Sequence, residues 1–312
     1  MKGCPSLIES TMDPHRMIHA LVLEKLGPSL EDLCNLKSPQ VRFDEKMSLA
    51  LAIQMVRDFL PPPLFTSCTY FTFFCFFNKL DRYAELHARK IIHNGAKPAN
   101  ICIASLSSNA TDASTLYLID FGFSFFGENT RLDRGIEFSG NKRFWSALSY
   151  HAFSAFLFSF SLHFLPFINA ENSIIIIAQS QRDDLESLGY LLSALFQGSL
   201  PWDDMDSSDT WRKKMSTPGS TLFRDMDPSF LEYWKDVRSL AFNEVPDYCS
   251  LRSRFVKCWE RKGFDSSPGE YDWLALFNKL NQEKTTVLLD NPSETSLVSE
   301  APSVIASCRS AH

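Results

Sequence analysis

The stretch His93-Asn94-Gly95-Ala96-Lys97-Pro98-Ala99-Asn100, followed 20 residues after Asn100 by Asp120-Phe121-Gly122, decides how the chain is read. Phosphoryl transfer is mostly a matter of positioning and charge neutralisation. It calls for a carboxylate on one magnesium ion, an amide on a second and a cation near the transferring phosphate. Asp120, Asn100 and Lys97 supply those three groups. Singly, each has an ordinary reading: an Asp capping a turn, an Asn in a loop, an exposed Lys. The joint spacing favours the shared site. Residues Leu116 to Ile119 form a short apolar run ahead of Asp120, which suits a strand that delivers the carboxylate to its end.

Outward from this centre, Gly27-Pro28 breaks the apolar stretch Met17 to Leu26, which predicts a short strand. Ser29-Leu30-Glu31-Asp32 then fits a helix start, with Ser29 capping and Asp32 reaching back. Apolar spacing predicts helices over Met47 to Met55 and Leu80 to Ile92, and a buried helix over Asp183 to Phe196. Trp211 to Met215, Phe230 to Ala241 and Tyr248 to Trp259 add three more. Leu7 to Glu9 is expected to pair with Ala20 to Glu24. Beyond about Leu280 the chain turns rich in Ser, Thr and Glu, which favours a disordered tail.

Several of these motifs, in the same order, resemble the casein kinase I family of Ser/Thr protein kinases. His93, Lys97, Pro98 and Asn100 match a catalytic loop of approximate form HRD-x-KP-x-N. Leu26-Gly27-Pro28-Ser29-Leu30-Glu31-Asp32-Leu33 is similar to the family's hinge and following helix. Ser180-Gln181-Arg182-Asp183-Asp184-Leu185-Glu186-Ser187-Leu188-Gly189-Tyr190 is similar to its central helix, and Gly198-Ser199-Leu200-Pro201-Trp202 to the segment after it. Pro246-Asp247-Tyr248, Arg261-Lys262-Gly263 and Tyr271-Asp272-Trp273 resemble its closing segments, so the likeness spans residues 3 to 273.

The resemblance implies an α+β, mainly helical fold: a kinase-like large lobe with a remnant of the small lobe. Residues 1–27 would be that remnant with the hinge, 28–277 the large lobe and 278–312 the tail. It implies ATP and Mg2+ as cofactors. Glu24 and Leu26 would offer backbone groups to adenine, with Lys25 in place of an apolar hinge residue. Asp120 and Asn100 would hold metal, Lys97 would contact phosphate, and Asp184 would anchor the catalytic loop. Arg143 would bind an anion near the substrate, or with Lys142 form a solvated surface pair.

The chain departs from the pattern in three places. Gly95 stands at the position of the catalytic Asp and has no side chain to accept the substrate proton. General-base assistance is worth roughly 10²- to 10⁴-fold. No G-x-G-x-x-G occurs, and no V-A-I-K-like strand precedes the hinge. Residues 56–79 and 153–176 interrupt motifs that the family runs continuously, and they carry 13 of the 27 Phe. Excising 56–79 joins Met55 to Leu80 as one helix. Phe, Ser, Leu and Pro have pyrimidine-rich codons, so retained introns or a gene-model error would leave such stretches. A membrane hairpin is the other reading, set against Pro61, Pro62, Pro63 and too few apolar positions for the usual span of about 20.

Composition sets the remaining bounds. The chain has 312 residues, 45% hydrophobic and 22% charged, with a formal net charge of -6. That charge gives no global attraction to nucleic acid or an anionic membrane. The eight cysteines are scattered without CxxC or zinc spacing, which suits reduced thiols in a cytoplasmic or nuclear protein. Met1 to Arg16 lacks the apolar core of a signal peptide. Three functions are weighed: a degenerate kinase that acts by binding a protein partner, an active Ser/Thr kinase whose missing lobe lies upstream, and a membrane-hairpin protein.

Overall fold

The computed structural model describes residues 4–13, 18–36, 41–56, 82–105, 113–126, 143–147 and 179–290. It is a mixed fold in which helices dominate and strands are few and short. An N-terminal hairpin joins β1 (Leu7–Asp13) to β2 (Ile18–Leu23), antiparallel, with Leu7 opposite Leu23 and an irregularity between Leu7 and Glu9. The expected pairing of these two stretches is present.

Local chemistry explains the helix starts. α1 (Leu30–Asn35) begins in a reciprocal cap: the Asp32 amide donates to Ser29 Oγ at 3.1 Å, and the Ser29 amide to Asp32 Oδ2 at 2.8 Å. α2 (Glu45–Met55) starts at Asp44, which accepts from the Met47 amide, and is buried from Met47 to Met55. α3 (Arg82–Ala88) is shorter than the predicted helix to Ile92. Lys90 takes a left-handed φ of 60° and ends the helix. The β-branched Ile91 and Ile92 form β3 (Ile91–Ile92) instead, paired antiparallel with β6 (Phe125–Phe126). Between them, β4 (Ile101–Ile103) and β5 (Leu116–Leu118) form a third two-stranded ladder.

The helical part follows. α4 (Gln181–Gln197) is the central element, opened by a Ser180–Asp183 capping box and closed by Gly198 at φ 83°. Only glycine suits that end: a Cβ would meet Arg42 Nε at 2.5 Å, and the backbone is left-handed. α5 (Ser207–Ser216), α6 (Gly219–Leu222), α7 (Pro228–Ser239) and α8 (Tyr248–Arg261) surround it. α2, α4, α7 and α8 bury one apolar core that includes Leu51, Leu188, Tyr233, Phe255 and Trp259.

α9 (Trp273–Asp290) runs past residue 277, where the disordered tail was expected to begin. Asn281, Gln282, Glu283 and Lys284 are polar, but Gln, Glu and Lys are good helix formers, so polarity alone did not predict loss of the helix. The interruptions at 57–79 and 153–176, and the tail from 291, lie outside the described residues. Val56, where the first interruption was placed, is buried at the C-cap of α2.

The two ends flanking the first interruption adjoin. Arg82, the first residue of α3, donates from Nη1 to the Gln54 carbonyl at 3.4 Å and from Nη2 to Gln54 Oε1 at 3.0 Å. It also reaches the Leu116 carbonyl. Gln54 Nε2 in turn donates to the carbonyls of Ser114 and Gly269. This buried network fastens α2, α3 and β5 at one point. Among the described residues, no helix is long and apolar enough to cross a membrane.

Candidate functional site

The 93–100 loop is held from below by Asp184 on α4. This carboxylate, 1% exposed, accepts the amides of His93 and Asn94, each at 2.7 Å, and lies 2.9 Å from His87 Nε2. His87 also bonds Tyr248 on α8 through Nδ1. One buried acid therefore ties α3, the loop and α8 together. The sequence pointed to Asp184, and to Tyr248 only within a closing motif; nothing in the spacing marked His87.

His93 is fully buried, with Nε2 at 3.1 Å from the Ile119 carbonyl and its ring edge-on to Phe121 at 4.9 Å. Burial pushes its pKa below the ordinary value and outweighs Asp184, which raises it. It is a neutral positioning group joining the loop to Asp120-Phe121-Gly122.

Of the three groups expected to handle metal and phosphate, Lys97 lies beside Asp120, and Asn100 stands three residues after Lys97 on the same loop. A one-turn 3₁₀ segment, Pro98–Asn100, follows Lys97, and the Ile119 amide donates to the Asn100 carbonyl at 2.9 Å. Lys97 Nζ lies 3.6 Å from Asp120 Oδ2. Asp120 is left-handed, with φ 63°, which is uncommon for a residue with a Cβ and recurs at functional sites. Its Oδ1 accepts the Gly122 amide at 3.2 Å, and 40% of the side chain is exposed.

Asn100 is buried, and its Nδ2 donates to the Gly95 carbonyl at 2.9 Å. That bond engages the amide nitrogen and leaves the side-chain oxygen out of it. A carboxylate and an amide oxygen are hard donors suited to magnesium, so the donor set fits the implied ion. Gly95 itself donates to His93 Nδ1 at 3.2 Å and has no side chain; a Cβ on it would face His93 and the Asn100 amide.

The residues expected to meet adenine and a substrate anion are held by contacts of their own. The Glu24 amide is bonded to the Ser6 carbonyl and the Gly27 amide to that of Ile103. Among the described residues, the Glu24 carbonyl and the Leu26 amide take no backbone bond. Arg143 is 38% exposed but pairs with Asp203 at 2.7 Å and stacks over Phe144, so an anion would have to compete with Asp203.

Sequence reasoning missed Trp145. Its indole donates to Asn94 Oδ1 at 2.7 Å, and Gln179 donates to the same oxygen at 2.6 Å. Asn94 occupies the Arg position of the HRD-like motif and is left-handed, with φ 57°.

Glu45, Asp227 and Cys258 also bring potential ligand atoms within 4.8 Å of one another. Arg261 bonds Asp227 at 2.6 Å and Lys262 bonds Glu45 at 2.7 Å, so cations of the chain already neutralise these carboxylates. No known family model matches this sequence.

Proposed function

We propose that the chain is a degenerate casein kinase I-like domain that binds magnesium and ATP and transfers phosphate weakly or not at all. The observation that supports this reading is the approach of Lys97, on the Asp184-pinned loop that also carries Gly95 and Asn100, to Asp120 at 3.6 Å. Asp120 and Asn100 are the proposed metal ligands, and Lys97 the proposed phosphate contact. The Glu24 carbonyl and Leu26 amide are proposed to face adenine, and Arg143 to meet an anionic group of a protein partner. ATP, when bound, would supply the phosphoryl group. What the loop lacks is a carboxylate to accept a hydroxyl proton, and Gly95 cannot replace it. A cytoplasmic or nuclear location belongs to the same proposal.

The test measures, on the purified full chain, displacement of a fluorescent ATP analogue by MgATP alongside phosphate transfer to casein. Binding without transfer above background is expected. Robust transfer would favour an active Ser/Thr kinase, and absence of binding would overturn the nucleotide reading.

A further inference from the structure

Three elements bring unlike donor atoms to one point: Glu45 opens α2, Asp227 caps α7, and Cys258 lies in the last turn of α8. Their ligand atoms lie within 4.8 Å of one another, with Asp227 and Cys258 buried and Glu45 half-buried. The set is a thiol with two carboxylates, not acids alone. Two carboxylates suit a hard ion, but the sulfur turns the choice towards a borderline-soft metal such as zinc. Asp227 is already oriented, because its Oδ1 accepts the Ser229 amide at 3.0 Å.

A fourth side chain points to something the cluster lacks. Ser229 Oγ faces both the Asp227 carboxylate and the Cys258 thiol. The residue is only 6% exposed, yet the hydroxyl completes no hydrogen bond of acceptable geometry. Buried hydroxyls ordinarily find a partner. A water in the fourth position of a tetrahedral metal would give Ser229 one.

Two cations of the chain share the seat. Lys262 Nζ lies 2.7 Å from Glu45 and 4.0 Å from Asp227 Oδ2, so an ammonium sits between the two carboxylates. Arg261 holds the same Oδ2 at 2.6 Å. Their side chains are 37% and 59% exposed, so each can swing to water on its own stem. Such exposed pairs hold weakly, whereas a divalent ion would meet both carboxylates and the sulfur at once.

We propose that Glu45, Asp227 and Cys258 form a zinc site, with water as fourth ligand beside Ser229, in which Zn2+ takes the place of the Lys262 ammonium and the Arg261 guanidinium. Binding is an exchange: the Cys258 thiol gives its proton to solvent, its sulfur bonds the metal, and both cationic side chains leave for water. The ion clamps the starts of α2 and α7 to the end of α8. None of these residues belongs to the proposed magnesium and phosphate groups, so the site stands whether or not the chain binds ATP.

The full chain, stripped with a chelator and kept reduced, tests this by titration with Co2+, whose spectrum reports thiolate ligation. A cobalt–thiolate charge-transfer band is expected, and equimolar Zn2+ should abolish it, because zinc binds such sites more tightly than cobalt. The band should be lost in Cys258→Ser and kept in Cys249→Ser, Cys249 being the exposed thiol of α8. Lys262→Ala, which removes the competing ammonium, should tighten Zn2+ binding by up to about five-fold. No band, a band that survives in Cys258→Ser, or Zn2+ binding no tighter in Lys262→Ala would overturn the site. The lysine variant alters an exposed residue beyond the last turn of α8, so it decides the matter even if Cys258→Ser does not fold.

Discussion

Gly95 does not have the left-handed backbone that demands glycine, so what distinguishes it is the missing side chain. A Cβ there would lie 3.0 Å from His93 Cε1 and 3.2 Å from Asn100 Nδ2, close enough that both must give by a few tenths of an ångström. Gly95→Asp is therefore expected to fold, and to raise phosphate transfer to casein by about 10²-fold, the lower end of general-base assistance. No increase in a variant that still binds MgATP would show that the missing base is not the main defect. The nearness of Lys97 and Asp120 was legible in the sequence because residue type and spacing suggested a shared site. The Trp145–Asn94 contact was not, because it joins residues 51 apart through a side-chain bond.

Among the elements, the junction of α2 and α3 has the clearest consequence. Arg82 and Gln54 bond each other across it, and both reach β5 or its approach. The two helices are thus fastened to each other at their facing ends, as the halves of one helix would be if residues 56–79 were absent. Removing residues 56–79 joins Met55 to Leu80, replacing a long connection by a peptide bond. Closure entropy puts the gain at about 3 kcal/mol, to be read as a higher urea midpoint. A variant that no longer folds would mean that the halves are not one helix. The helix starts were legible because capping is local: Ser29 with Asp32, and Ser180 with Asp183, stand three residues apart. The end of α3 was not, since Ile91 and Ile92 are drawn into a ladder with Phe125 and Phe126, more than 30 residues on.

At the scale of the whole molecule, Asp227 links the helical layers. It caps α7 through the Ser229 amide at 3.0 Å and meets Arg261 of α8 at 2.6 Å. Burial alone would raise its pKa, but the bonds from Arg261 and Ser229 outweigh it and hold the carboxyl at about 2, against 3.8 in the unfolded chain. Its contribution is then fully present above pH 3.8 and is lost as the pH falls towards 2. Asp227→Asn should accordingly flatten the fall in stability over that window, measured by urea unfolding at fixed pH values. An unchanged slope would remove Asp227 from the list of acid-sensitive groups. The mainly helical class was legible from apolar spacing, whereas the reach of α9 to Asp290 was not, because polar helix formers look alike in a helix and in a tail.

The proposed metal and phosphate groups carry the functional proposal, and Asp120 is the residue on which they turn. The most direct measurement is the thermal shift of the full chain with ATP, with and without Mg2+, in the wild type and in Asp120→Ala. Ligand at about ten times its dissociation constant stabilises by roughly 1.4 kcal/mol. A magnesium-dependent rise in melting temperature is expected in the wild type and should vanish in Asp120→Ala. No rise at millimolar MgATP, or an equal rise in both proteins, would contradict a surviving nucleotide site.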